Sequence, residues 1–246
     1  MRRALHAEWT KLRTTPGTSL LLLAVVAATV GIGVLAAAAT DCPAGICAVD
    51  PAKITLTGVQ LGQAVVAVLA VQVIGAEYST GMIHASLAAV PRRLTVLAAK
   101  ALVLTAVVTA AATAGVAGSL VAGNRLLPLA VTDAAVLRAA AGSVLYLILI
   151  GLLALGVTTA VRTPATAAGV VLGLLYVFPI IGLAATDPAF RRHLEQIGPM
   201  AAGLAIQATT GLDDLPISPW HGLAVLGAWA AAALLAGGLL LRLRDA

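Results

Sequence analysis

Residues 18–40 read TSLLLLAVVAATVGIGVLAAAAT, running from Thr18 to Thr40 without a charged side chain. An α-helix needs about 20 predominantly apolar residues to cross a hydrocarbon core about 30 Å thick. A cleaved secretory leader would share the basic start, but its apolar stretch is only about 7–15 residues long. This run is longer, and five more follow it, at about 58–76, 94–122, 134–161, 165–185 and 220–241. It is therefore read as a retained first span. Composition agrees: 61% of the 246 residues are apolar and 10% are charged, with a mean hydropathy of +1.03. A soluble domain carries about 25% charged residues, so this chain could not cover a wetted surface. The expected fold is all-α: one transmembrane domain over residues 1–246, a bundle of six spans.

Lysines and arginines set the expected orientation, because inner segments carry the surplus. With the N-terminus inside, the inner segments hold Arg2, Arg3, Lys11, Arg13, Arg92, Arg93, Lys100, Arg162, Arg242 and Arg244. The outer segments hold half as many: Lys53, Arg125, Arg138, Arg191 and Arg192. Both termini are thus expected in the cytoplasm. Ahead of the first span, Leu5, Trp9 and Leu12 share one helical face. That pattern predicts an amphipathic helix lying on the inner surface, with Trp9 at headgroup depth.

The connections are read as 41–57, 77–93, 123–133 and 186–219. In the first, Cys42 and Cys47 can close a small disulfide loop outside the cell or stand as two free thiols. The second, Glu77 to Arg93, is less apolar than its neighbours; Ile83, Leu87 and Val90 share a face, and Pro91 ends the helix. In the last, Met200–Ala208 is too short to span and reads as a re-entrant or surface helix. Pro179 is expected to kink the fifth span. Ala165, Gly169 and Gly173 form a small-xxx-small row, read first as ordinary packing within one bundle and alternatively as a subunit interface.

Several chemistries are excluded. The span cores carry almost no ionisable groups; Lys100 and Arg138 fall near span ends, where they are expected to snorkel. The four histidines are scattered at boundaries, so no metal site or other cofactor is expected. A phosphate-binding loop needs a lysine after glycine, whereas Lys11, Lys53 and Lys100 follow Thr10, Ala52 and Ala99. Aromatics are only 3%, too few for a nucleic-acid stacking platform. The chain reads as a non-enzyme whose driving force comes from another polypeptide or from an ion gradient.

Two stretches carry a family resemblance. Glu8-Trp9-Thr10-Lys11-Leu12-Arg13 ahead of the first span, and Glu77-Tyr78-Ser79-Thr80-Gly81-Met82-Ile83 closing at Pro91-Arg92-Arg93, resemble type-2 ABC exporter permeases, actinobacterial ones in particular. The resemblance implies a permease that pairs with an identical or similar chain, surrounded by membrane lipid, with a cytoplasmic ABC ATPase subunit docked from inside. It also implies that 77–93 is a coupling helix. Within it, Glu77, Tyr78, Gly81 and Arg92 are the expected contact or hinge positions, accompanied by Ile83, Leu87, Pro91 and Arg93. The competing reading is a secondary transporter or channel without an ATPase partner. The apolar pathway lining admits lipids, peptides or hydrophobic drugs without choosing among them.

Overall fold

The structure is a computed structural model that describes residues 2–42, 47, 49–83, 85 and 93–243. Those residues fold into helices joined by short turns, and six helices are long and apolar enough to cross a membrane. α1 (Arg2–Thr14) precedes the first span, α2 (Pro16–Ala38). The second is α3 (Pro51–Thr80), with a tighter 3-10 turn at Leu56–Gly58. Then come α4 (Arg93–Gly123), α5 (Ala134–Val161) and α6 (Pro164–Ala184). Two short helices, α7 (Pro188–Ile197) and α8 (Pro199–Leu204), lead into the last span, α9 (Pro219–Leu243). Successive spans alternate in direction, so one end of the bundle carries α1 and the other carries α7 and α8.

The second span is longer than the sequence reading at both ends. Its first turn is set by Asp50, whose carboxylate accepts hydrogen bonds from Ala52 N (3.0 Å) and Lys53 N (3.2 Å), with Pro51 at the start of the helix. A side-chain acceptor followed by proline satisfies the free N–H groups of a helix start. At the other end the helix runs through Glu77 and Tyr78 to Thr80, rather than breaking at Ala76. It stops at Gly81, which takes a left-handed conformation (φ +71°) and donates from its N–H to the Tyr78 carbonyl. That conformation costs a glycine nothing. The fifth span runs continuously from Pro164 to Ala184 with Pro179 inside it.

Small residues let the spans approach backbone to backbone. A Cβ built on Gly156 of α5 would lie 2.5 Å from the Ala233 carbonyl carbon of α9, and one on Gly237 would lie 2.6 Å from Gly156 O. The Thr29 hydroxyl of α2 donates to Val25 O one turn back in its own helix (2.7 Å), and its carbonyl accepts from Ser119 Oγ of α4 (3.1 Å). A buried polar knot joins α3, α5 and α6: the Tyr146 hydroxyl donates to Gln63 Oε1, Gln63 Nε2 donates to Tyr176 Oη (3.3 Å), and Tyr176 donates to Gln60 O (3.1 Å).

The segment 199–207 packs inside the bundle rather than on its surface. Met200, Ala202, Ile206 and Gln207 are buried, and Gln207 Nε2 donates to Ser143 Oγ (3.1 Å) and Leu56 O (3.4 Å). Arg138 lies near the end of its span and is half-buried. Its guanidinium donates to Ala208 O (2.7 Å), closing the end of this segment.

At the same end Cys42 and Cys47 are joined by a disulfide. Asp50 ties the first connection to the last, accepting from Thr209 N, Thr209 Oγ1 (2.7 Å) and Thr210 N (3.2 Å). Burial raises the Asp50 pKa, but the bonds from Thr209, Lys53 and Thr210 outweigh it and hold the carboxyl below its usual value. A depressed carboxylate pKa contributes stability above its ordinary value of about 3.9, and that contribution is lost as pH falls through the folded value. Asp50→Asn should therefore lower stability at pH 7 by on the order of 1–2 kcal/mol, after allowance for partial exposure. It should also flatten the acid limb of a thermal-melting profile below about pH 4. An unchanged acid limb would show that Asp50 does not hold this end together.

Candidate functional site: a buried charge quartet at the α1 end

Four ionisable side chains meet where α1, α3 and α4 converge. Glu8 of α1, Glu77 near the end of α3 and Lys100, two turns into α4, are all buried, and Lys100 has no exposed surface at all. Lys100 Nζ donates to Glu8 Oε2 (2.7 Å), Glu77 Oε1 (2.7 Å) and Val73 O (3.2 Å). Lys11 Nζ, at the rim, donates to Glu8 Oε1 (3.0 Å) and to the same Glu77 Oε1 (2.6 Å). Burial pulls the Lys11 ammonium pKa down, but the bonds to Glu77 and Glu8 outweigh this and leave it raised. Two carboxylates facing two ammonium groups make the cluster formally neutral. Buried charges persist only when paired and hydrogen-bonded in this way.

The quartet corrects one reading of the sequence: Lys100 does not snorkel but is the centre of the cluster. The α3 helix carries Glu77 inward to it. α1 docks by Ala4, Glu8 and Lys11, and Trp9 is left 43% exposed on its outer face. In the sequence, Glu8 and Lys11 stood out only as parts of a basic leader and of a stretch that resembles the family. The overlooked signal was charge scarcity: acids at Glu8 and Glu77 are rare on the basic side of such a chain.

Around the quartet the other inner-segment residues are placed as follows. The Arg162 guanidinium lies over the Tyr78 ring, 5.9 Å from its centroid, an attraction worth about 0.5–1 kcal/mol. Arg162 itself sits at φ +67°, turning α5 into α6. Arg93 Nη1 donates to Leu241 O (2.9 Å), capping the last turn of α9. Ile83 is buried and Met82 is half exposed. Leu87, Pro91 and Arg92 lie outside the described residues.

Elsewhere, Ala165, Gly169 and Gly173 are exposed, and a Cβ on either glycine would meet nothing within 4 Å. All three lie on an exposed face of α6.

The charged leader and the stretch after the second span are the two places that carry the family resemblance, and the quartet joins them. The family model of the ABC-2 family transporter proteins matches residues 4–180, well over half of the chain. The chain belongs to that family. No curated protein matches its sequence. Membership makes this ABC-2 protein a multi-pass membrane component of a transporter, a transport element rather than a catalytic one. The matched region takes in nearly all of α1, both acids, both lysines of the quartet, four whole spans and most of the fifth.

Proposed function

We propose that this ABC-2 protein is the permease subunit of an ATP-binding-cassette exporter, forming the translocation pathway with an identical or similar chain. In this reading a separate ATPase docks on the cytoplasmic end, which is the end carrying α1, and pushes through residues 77–93. The observation that supports it best is the quartet. It fastens α1, the end of span two and the start of span three into one unit at the root of that stretch, so a push there moves two spans together. The burial of Glu77 and the half-burial of Tyr78 favour a hinge or transmission role over direct contact. Half-exposed Met82 and the stretch that leads to Arg92 are the positions this reading assigns to the ATPase contact. The bare Ala165, Gly169 and Gly173 face supports pairing with a second permease, since small residues allow close backbone approach.

A single cysteine placed at exposed Ser79 tests the orientation. A membrane-impermeant maleimide is expected to label it in inside-out vesicles and not in intact cells. Vesicle transport should require both nucleotide and the co-purified ATPase. Labelling from outside would overturn the reading, as would cargo movement by the purified chain without nucleotide. The latter result would favour an ion-coupled carrier, for which buried ionisable groups are the usual foothold.

A further inference from the structure

A cavity of about 430 Å³ opens beside the quartet, between α1, the start of α2 and the end of α3. Its walls are apolar, formed by Leu12, Leu21, Leu69 and Val73, and Glu77 and Lys11 line its polar end. Glu77 Oε1 takes both lysine bonds, whereas Glu77 Oε2 is buried without a hydrogen-bond partner. An unpartnered buried carboxylate oxygen is costly. The last side-chain torsion of glutamate is soft, so a turn of the carboxylate would bring that oxygen to the cavity that Glu77 lines, with the two lysine bonds following the turned group.

We propose that this cavity holds the headgroup of a zwitterionic aminophospholipid of the adjacent leaflet, with its primary ammonium on Glu77 Oε2. The quartet is already neutral, so an occupant with a net charge would bury that charge uncompensated. An ammonium–phosphate headgroup brings none. Its N–H groups supply the missing donors, and its phosphate lies toward the positive charge of Lys11 at the rim, about a third exposed. Gly17 and Thr18 line the cavity where the first span begins; with the mouth placed there, an acyl chain can run down the apolar wall beside Leu21. A free headgroup would leave that wall uncovered, which favours a lipid over a soluble amine. The lipid would fill the space under α1 and complete the acceptor valence of Glu77. The proposal concerns the chain alone and does not depend on the ATPase partner.

Native mass spectrometry of the detergent-purified protein tests it, with phosphatidylethanolamine, phosphatidylcholine and phosphatidylglycerol of matched acyl chains added in turn. Phosphatidylcholine is the sharpest control, because its quaternary ammonium has no N–H to donate. The wild type should retain one phosphatidylethanolamine at least fivefold more than either other lipid. Thr18→Trp fills the mouth without touching the four charges and should abolish that preference at an unchanged melting temperature. Glu77→Gln should reduce the discrimination between phosphatidylethanolamine and phosphatidylcholine to less than twofold. Equal retention of all three lipids, retention of none, preference for phosphatidylglycerol, or a preference that survives Thr18→Trp would each overturn the assignment.

Discussion

Replacing Lys100 with methionine should cost the bundle about 3–5 kcal/mol, the typical penalty for removing one partner of a buried ion pair. Methionine matches the length of the lysine stem, so the loss is one of charge rather than of volume. Glu8 and Glu77 would then face each other with only Lys11 to neutralise them, and Lys11 is at the rim. The expected result is a large drop in the denaturant or SDS midpoint, together with protease access to the α1–α2 junction near Thr15. Adding Glu8→Gln and Glu77→Gln to Lys100→Met should recover much of the loss, because the uncompensated carboxylates cause the damage. A triple variant no better than Lys100→Met alone would mean that the lysine acts by packing.

The second large effect is expected at Gly156→Leu. The new Cβ would fall within 2.5 Å of the α9 backbone at Ala233, and one turn on, Gly237 is packed so closely that a Cβ there would lie 2.6 Å from Gly156 O. Backbone atoms cannot swing aside as a flexible side chain can, so α5 and α9 must separate. Overpacking of this kind costs about 1–3 kcal/mol and occasionally more, and a contact that is backbone on both sides belongs at the upper end. The midpoint should fall accordingly, and the Arg93 cap on Leu241, at the far end of α9, should loosen with it. A midpoint within about 0.5 kcal/mol of wild type, the range of a neutral surface change, would show that the two spans are not held at this spacing.

The six spans were legible because a charge-poor run of about 20 residues has few alternatives in a chain this apolar. The start of the second span was also within reach. Asp50-Pro51 is a helix-start signal, but Lys53 just beyond it was read as part of a polar connection. How each span is rotated was not legible. Ala, Leu, Val and Gly surround α6 on every side, so no apolar stripe marks an inner face; hence Gly169 and Gly173 were taken as internal and are exposed. The quartet was missed for a different reason. Lys100 lies seven residues beyond Arg93, near enough to a span end for snorkelling to be the ordinary assumption. Only the fold brings Glu8, 92 positions earlier, onto the same atom. The 199–207 segment was likewise ambiguous, because burial of Gln207 depends on acceptors in α3 and α5.

The three helices that share the quartet, α1 and the second and third spans, leave the ribosome far apart in time. Glu8 emerges first, Glu77 follows after the first hairpin, and Lys100 appears only once the third span has begun to insert. Until then both acids lack their central counter-ion, so α1 cannot settle onto the bundle and must wait in the interfacial layer. Arrest of synthesis before residue 100 should therefore leave the leader loose and exposed to protease, and completing the third span should lock it.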